Sequence, residues 1–378
     1  MSLILLKKEM GQVFTPKNVA DLLAAEVSHI QNNFNTILDM GAGIGILTKS
    51  ILNRNMAKSY ELVEKDVDLF DILEGDKELI LTKKYNIDIL DFDFKKYDLV
   101  ISNPPFIQIQ YNMKKEYGDI VFFEYMWEKI SDGAVFSFIV TNNIINNYRY
   151  KKIREKILSE TAYLSVVELD MFIYSKTEVQ SFIITGKKSN NVGNLVVLKK
   201  SNKYGDLVDF LEVDKNVALN RMDLSYYRAI NNIMNNVKKD LPLLSDLSPY
   251  ISRGSKSNNF FIENGIKAFH TTHFSKNKNN LVFDGEMKSL SYKSIEKGDI
   301  IIPRVGSRCL NYCAYVENGN SYFTDCIYRI QVESKFHQIL LNSLRSPEGI
   351  LWRQTSATGS CAKHITLKTL KNMPIFSN

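Results

Sequence analysis

Four residues, Asn103-Pro104-Pro105-Phe106, directly follow the apolar run Asp98-Leu99-Val100-Ile101-Ser102. Each proline biases the residue before it toward extended backbone and removes a backbone donor. The tetrapeptide therefore reads as a stiff stub at the carboxyl end of a strand. It presents one side-chain amide, exposed carbonyl oxygens and one aromatic ring. Those groups can accept hydrogen bonds and stack on a flat partner. A rigid strand exit with a buried Phe has the same composition, so the neighbouring segments decide between the two.

The segment Asp39-Met40-Gly41-Ala42-Gly43-Ile44-Gly45 also follows an apolar run and opens a helical pattern. Glycines there let backbone pass close to a ligand, and a helix N-terminus offers amides to an anionic group. The next apolar run ends at Glu64, a carboxylate placed to accept both hydroxyls of a ribose. The third leads into Asp91-Phe92, an acid that can accept from an adenine amine beside a ring that can cover its face. Glu64 also suits a solvated strand end and Asp91 a turn cap. Their order, one acid per strand end, is what an arbitrary sheet would not usually supply.

The elements that must position these residues alternate. Thr15-Pro16 predicts a helix N-cap followed by proline at the first helical position, and Val19, Leu22, Leu23, Ala24 and Val27 give residues 15–30 one apolar face. Strands are expected at 36–40, 59–64, 85–90, 98–102, 134–140, 164–169 and 179–186. Helices are expected at 45–52, 67–73, 119–131, 147–159 and 223–237, with 107–119 a loop. This alternation implies an α/β fold with a mostly parallel, doubly wound sheet and ligands past the carboxyl ends of its strands. Composition changes near 238 to Ser, Asn, Gly and aromatics in short strands. The expected division is 1–238, a catalytic domain, and 239–378, a smaller α+β, strand-rich domain.

Of 378 residues, 44% are hydrophobic and 24% charged, ordinary for a globular protein. No apolar run approaches a bilayer-spanning length, and the start lacks the basic lead and cleavage site of a signal peptide. No membrane association and a cytoplasmic location are expected. The net charge of +6 is uneven. Residues 241–378 hold 17 Lys/Arg against 10 Asp/Glu, and the rest is near neutral. A polyanion would be drawn to the C-terminal part. Cys309, Cys313, Cys326 and Cys361 fit no common zinc spacing, and although His270, His273 and His364 lie in the same region, no metal is expected.

Taken together, GQVFTP (11–16), LDMGAGIG (38–45), LVEKD (62–66), ILDF (89–92) and DLVISNPPF (98–106) resemble, in type and order, the motifs of gamma-group S-adenosylmethionine-dependent DNA adenine methyltransferases of restriction–modification systems. The resemblance covers about residues 9–190. It implies a Rossmann-like methyltransferase fold and S-adenosylmethionine as cofactor. Phe14, Thr15 and Pro16 would then border the methionine part. Asp39, Gly41, Ala42 and Gly43 would line its carboxylate and amino group. Glu64 would take the ribose, Asp91 and Phe92 the adenine, and Asn103 would lie where methyl donor and acceptor meet. The usual proline after the first aspartate is Met40 here, while the glycines that carry the close approach are kept.

In that chemistry Asn103 and the Pro104 carbonyl accept the two hydrogens of an adenine amine, and Phe106 stacks on a base flipped from the duplex. A second ring is expected from 169–182, with Phe172 preferred and Tyr174 the alternative. Lys114 and Lys115 are placed to reach phosphates. Segments of 241–378, among them KGDIIIPRVGSRCLNYCAYV and ATGSCAKHITLKTLKNMPI, resemble target-recognition domains of type I restriction specificity subunits. Arg304, Arg308, Lys363 and His364 are the implied DNA contacts, with Ser255, Lys256 and Thr271 weaker ones. The implied partner is double-stranded DNA; no stretch suggests a nuclease core, which leaves open either a separate cognate restriction endonuclease or a methylase that stands alone. Methylation of RNA or of a protein glutamine is the alternative that the same NPPF motif leaves open.

Overall fold

A computed structural model describes residues 14–174, 179–236, 241–274, 279–284, 291–306, 309–359 and 363–376. The chain divides into two compact units, Met1–Leu224 and Ser225–Asn378. The division precedes the expected boundary at 238. Ile230 and Ile233, on the helix from Leu224 to Asn236, pack into the C-terminal core, so that helix belongs with the second unit.

In the first unit, helix α1 (Lys17–Ile30) leads into strands β1 (Phe34–Met40), β2 (Ala57–Val63), β3 (Lys83–Tyr85) and β4 (Leu99–Ser102), with helices α2 (Ile46–Leu52) and α3 (Val67–Glu74) between them. A hairpin, β5 (Gln108–Tyr111) and β6 (Lys114–Tyr117), precedes helix α4 (Gly118–Lys129). Strand β7 (Val135–Thr141), helices α5 (Asn142–Asn146) and α6 (Lys151–Ser159), and strands β8 (Thr161–Glu168), β9 (Ser181–Lys188), β10 (Leu195–Ser201) and β11 (Leu207–Asp214) follow. Helix α7 (Lys215–Ala218) closes the run, and α8 (Leu224–Asn236) opens the second unit.

Among the described residues nine strands form one sheet, ordered β11-β10-β8-β9-β7-β4-β1-β2-β3. From β3 through β7 every pairing is parallel; β9 runs antiparallel to both β7 and β8, and β11 to β10. The chain moves outward from β1 to β3, then returns to place β4 on the other side of β1. The crevice at the carboxyl ends of β1 and β4 is the switch point at which such sheets bind ligands. Strands β4 and β7 are buried at every position, which is why their sequences are continuous apolar runs instead of alternating ones. Helix α1 buries Val19, Leu23 and Val27 against the sheet, and also Glu26. The Glu26 carboxylate takes Lys199 Nζ at 2.8 Å and Ser165 Oγ at 2.7 Å, so that its charge is paired where it is buried.

Four local expectations change. The run 85–90 leaves strand geometry after Tyr85, because the Asp88 side chain accepts from Leu90 N at 3.1 Å and starts a single 3-10 turn at Ile89–Asp91. The helix expected over 147–159 is broken, because the Asn147 side chain caps the turn at Tyr148–Tyr150 through Arg149 N. Thr15 is not the cap of α1; Pro16 holds that position without a side-chain bond. The expected loop at 107–119 is the β5–β6 hairpin, turned by Asn112 and Met113 in left-handed backbone.

The second unit is strand-rich. Strands β12 (Tyr250–Arg253), β13 (Ala268–Phe269), β14 (Asn280–Val282), β15 (Ser294–Glu296), β16 (Ile300–Pro303), β17 (Ala314–Asn318), β18 (Asn320–Phe323) and β19 (Ile327–Gln331) build two sheets, β12-β19-β16-β17-β14 and β13-β18-β15. Helices α9 (Asn258–Glu263), α10 (His337–Arg345), α11 (Pro347–Ser356) and α12 (Leu367–Lys371) complete it. Three consecutive isoleucines show the strand period. Ile300 and Ile302 enter the core formed with α10 and α11, and Ile301 points into the second cluster with Phe323 and Ile327. No described helix is long and apolar enough to cross a membrane.

One buried cation ties the helices beside the sheet edge. Arg154 of α6 donates to the carbonyls of Ile144 at 2.9 Å, Asn147 at 2.9 Å and Leu219 at 3.0 Å. Replacing it removes the donor from three buried or part-buried acceptors. Arg154→Ala is expected to destabilise the N-terminal unit by about 2–4 kcal/mol, read by urea unfolding; an unchanged midpoint would show that these bonds contribute nothing net.

Candidate active site

A cavity of about 500 Å³ opens at the switch point. Its floor is the turn after β1. Gly41, Gly43 and Gly45 all hold left-handed backbone, at φ of 69°, 57° and 76°, which other residues adopt only under strain. The amides of Gly41 and Ala42 both donate to Val63 O at 2.9 Å, which locks this turn to the end of β2.

Two carboxylates face this floor. Glu64 Oε2 accepts from Gly43 N at 2.7 Å and Oε1 from Asp66 N at 2.8 Å. Burial pushes the Glu64 carboxyl above its ordinary range, against those backbone bonds. Asp39, at the end of β1, is buried beneath the glycines. Its Oδ2 accepts from Thr48 Oγ1 at 2.7 Å, and its Oδ1 has no hydrogen-bond partner among the described residues. Burial raises its pKa to about 7, with Thr48 opposing and the nearby Glu64 charge adding. A buried acceptor without a donor is costly unless a cationic or hydrogen-bonding ligand meets it.

The Asn103–Pro105 stub forms another wall. Asn103 Nδ2 donates to Thr15 Oγ1 at 2.8 Å, so the hydroxyl expected to cap α1 instead fixes the amide. Phe14, Thr15, Gly41, Ala42, Gly43, Glu64, Asn103 and Pro104 all line the cavity. Pro16 and Asp39 are not among its lining residues.

Asp91 and Phe92 are not brought to this cavity. Asp91 is exposed, and Phe92 is buried against Tyr85 with ring centroids 5.1 Å apart. The 3-10 turn is the reason, because it places Asp88, with Ile87, Ile89 and Leu90, on the lining instead. Asp88 Oδ2 pairs with Lys65 Nζ at 2.7 Å across the rim. Gln108 and Gln110 of the hairpin also line the cavity. These residues were not expected. The alternation Gln-Ile-Gln-Tyr and Lys-Lys-Glu-Tyr around Asn112 was the available signal for the hairpin, and the cap-forming Asp88 was the signal for the shifted acid.

Phe106 is half-buried on the sheet core and does not line the cavity. Phe172 is 82% exposed, whereas Tyr174 is 6% exposed and packed into the core. Lys114 and Lys115 are exposed on β6. In the second unit, Arg304, Lys363 and His364 come together. Arg304 N and Nε donate to Cys326 O at 2.8 Å and Asp325 O at 2.7 Å, Gly306 N donates to Lys363 O at 2.9 Å, and Ile365 N to Arg304 O at 3.0 Å. Lys256 O accepts from Asp325 N at 2.9 Å at the same turn. Ser255, in the segment just before it, is exposed. Thr271 Oγ1 lies 3.3 Å from His270 Nε2, and the other ring nitrogen of His270 is 2.8 Å from Thr324 Oγ1. Arg308 and Cys361 lie outside the described residues.

Comparison with known proteins matches residues 20–172 to the Eco57I restriction-modification methylase family model. These residues, well under half of the chain, are similar to that restriction–modification methylase family. The type II methyltransferase M.BsuBI of Bacillus subtilis is 28% identical over 192 residues, 41% of this chain and 38% of its own length. A protein named "Probable ribosomal RNA small subunit methyltransferase A", from Methanosphaera stadtmanae, is 42% identical over 86 residues, 21% of this chain and 30% of its own. The crystal structure of the type IIG restriction endonuclease BpuSI superposes over 98% of this chain and 59% of its own, with a TM-score of 0.54 at 12% identity, a likeness of fold. The chain thus spans well under two thirds of each of these relatives. The fold found here is α/β with a mostly parallel sheet, a likeness it shares with the BpuSI structure, and a strand-rich region is added to it.

The state of Asp39 has a consequence for the unliganded protein. Its carboxyl titrates near 4 when unfolded and at about 7 when folded. Its effect on stability is therefore absent below pH 4 and increasingly unfavourable up to pH 7. Asp39→Asn is expected to flatten the fall in unfolding free energy between pH 5 and pH 7, measured by chemical denaturation. An unchanged slope would mean that Asp39 ionises normally.

Proposed function

We propose that this chain is a sequence-specific DNA adenine N6-methyltransferase using S-adenosylmethionine, and that it acts as the modification component of a restriction–modification system. The carrying observation is that a Gly-rich turn, a sugar-reaching carboxylate and the Asn103–Pro104 acceptor pair open on one cavity in a segment that matches the methylase family. The residues present fit the cofactor. Asp39 Oδ1 supplies a buried acceptor suited to an ammonium group, and Glu64 sits where ribose hydroxyls would be met. Asp88 is the acid at the nucleobase end, in place of Asp91. The volume, about 500 Å³, is in the range of cofactor sites.

When bound, S-adenosylmethionine supplies an electrophilic methyl group on a sulfonium sulfur. The chain's own part is alignment. The exocyclic amine of adenine is a weak nucleophile because its lone pair is delocalised into the ring. Asn103 Oδ1 and the Pro104 carbonyl each accept one amine hydrogen out of the base plane, which turns the lone pair toward the methyl donor. Fixed dipoles and near-attack placement supply the rate, and no strong base is needed. The two prolines and the Thr15 bond keep these acceptors in place. Phe106 and Phe172 are assigned the two faces of a flipped base, Phe172 over Tyr174 because its ring is exposed. The basic, strand-rich C-terminal unit is assigned target recognition, with Arg304, Lys363, His364 and Arg308 as contacts and Lys114 and Lys115 on phosphates. The proposed partner is double-stranded DNA, with the methylase either paired with a separate restriction endonuclease or standing alone.

RNA as the acceptor is the second reading, favoured by the 86-residue match to the ribosomal RNA methyltransferase. Single-molecule sequencing of DNA from cells expressing the chain separates the two. Modified adenine in one sequence context is the expected result. Unmodified DNA with methylated RNA would overturn the proposal.

Two substitutions test the site. Asn103→Ala is expected to abolish methyl transfer while S-adenosylhomocysteine still binds; near wild-type transfer would remove the acceptor role. Glu64→Ala is expected to weaken cofactor binding by about 1–3 kcal/mol through lost charge-assisted bonds. Calorimetry showing equal affinity would take Glu64 out of the site.

A further inference from the structure

The acceptor stub is held from a second side. The first residue of α4, Gly118, lies against Pro105. A Cβ at Gly118 would sit 2.3 Å from the Pro105 carbonyl oxygen and 2.8 Å from its Cγ. Its φ is not in the left-handed region, so lack of space, and not backbone conformation, excludes a side chain here. Gly118 N donates to Ile107 O at 2.9 Å, closing the chain that leaves the stub back onto the start of the helix.

The next residue fixes that helix start. Asp119 is fully buried. Its Oδ2 accepts from Thr141 N at 3.0 Å and Thr141 Oγ1 at 2.7 Å, and its Oδ1 from Ile120 N at 3.1 Å. Thr141 is the last residue of β7, which pairs directly with β4, the strand that ends in the stub. A mechanical path therefore runs from the end of β7 through Asp119 to Gly118, and by close contact to Pro105. A displacement of the helix start by the length of one methyl group would be transmitted to the Pro104–Pro105 backbone.

We propose that Gly118 and Asp119 are positioning residues for the Asn103–Pro104 acceptor pair, with α4 acting as a shelf that sets the depth of the Pro104 carbonyl in the cavity. This inference rests on the role given to that pair above. Asp119 acts through Thr141 and Gly118, and its carboxylate is consumed by backbone and hydroxyl donors.

The test uses the full chain with Gly118→Ala, Asp119→Ala and Asp119→Asn. Gly118→Ala is expected to lower kcat for methyl transfer on the order of 10- to 100-fold, the cost of a misplacement of about 1 Å. Its calorimetric Kd for S-adenosylhomocysteine should stay within about threefold of wild type, since the lost interaction belongs to the transition state. Asp119→Ala should lose kcat similarly, and Asp119→Asn, which keeps an oxygen acceptor for Thr141, should recover most of it. A crystal structure of Gly118→Ala should show the Pro105 carbonyl displaced. Wild-type kcat with an undisplaced Pro105 overturns the inference. Should Gly118→Ala not fold, equal kcat in the two Asp119 variants overturns it. A wild-type chain that transfers no methyl to DNA refutes the functional reading instead, and the position of Pro105 then decides the shelf.

Discussion

The bond from Asn103 Nδ2 to Thr15 Oγ1, 2.8 Å long, joins the end of β4 to the residues just before α1. It spans nearly ninety residues of sequence, and it directs the amide nitrogen of Asn103 to Thr15. In the proposed reaction the amide oxygen does the accepting. The prolines remove backbone freedom on one side, and the Gly118 contact limits it on another. In the proposed reaction an acceptor pair of this kind gains its effect from not moving.

The cavity beside it is electrostatically unbalanced in the unliganded protein. Asp39 and Glu64 are both buried, and burial raises both carboxyl groups above their usual range. Their bonded partners are backbone amides and the Thr48 hydroxyl, with no lysine or arginine bonded to either among the described residues. Contrast Glu26, buried to the same degree and paired with Lys199. The two buried acids of the cavity and the buried acid of the helix–sheet core thus differ in how their charge is met.

Much of this was legible in the residues. The continuous apolar runs of β4 and β7, the glycine turn after β1 and the order of the acids predict the sheet and its switch point, because burial and backbone sterics act locally. What escaped was decided by side chains competing with backbone. Asp88 capped its own turn and ended a strand early, which moved the cavity's acid by three residues. Asn147 did the same to a helix. Thr15 was read as a cap from its neighbour Pro16, yet its partner lies in β4's exit, a contact no local pattern encodes. The closeness of Gly118 to Pro105 is likewise invisible until both are placed. Local spacing did not settle the preference for Phe172 over Tyr174, and the two differ entirely in exposure.

The most direct measurement is a crystal structure of the chain with S-adenosylhomocysteine. The expected result is a ribose held by Glu64, an amino group on Asp39 Oδ1, and the sulfur facing the Asn103 carbonyl with the Thr15 bond intact. An Asn103 amide turned to put its nitrogen into the cavity, or a ligand bound away from the glycine turn, would contradict it.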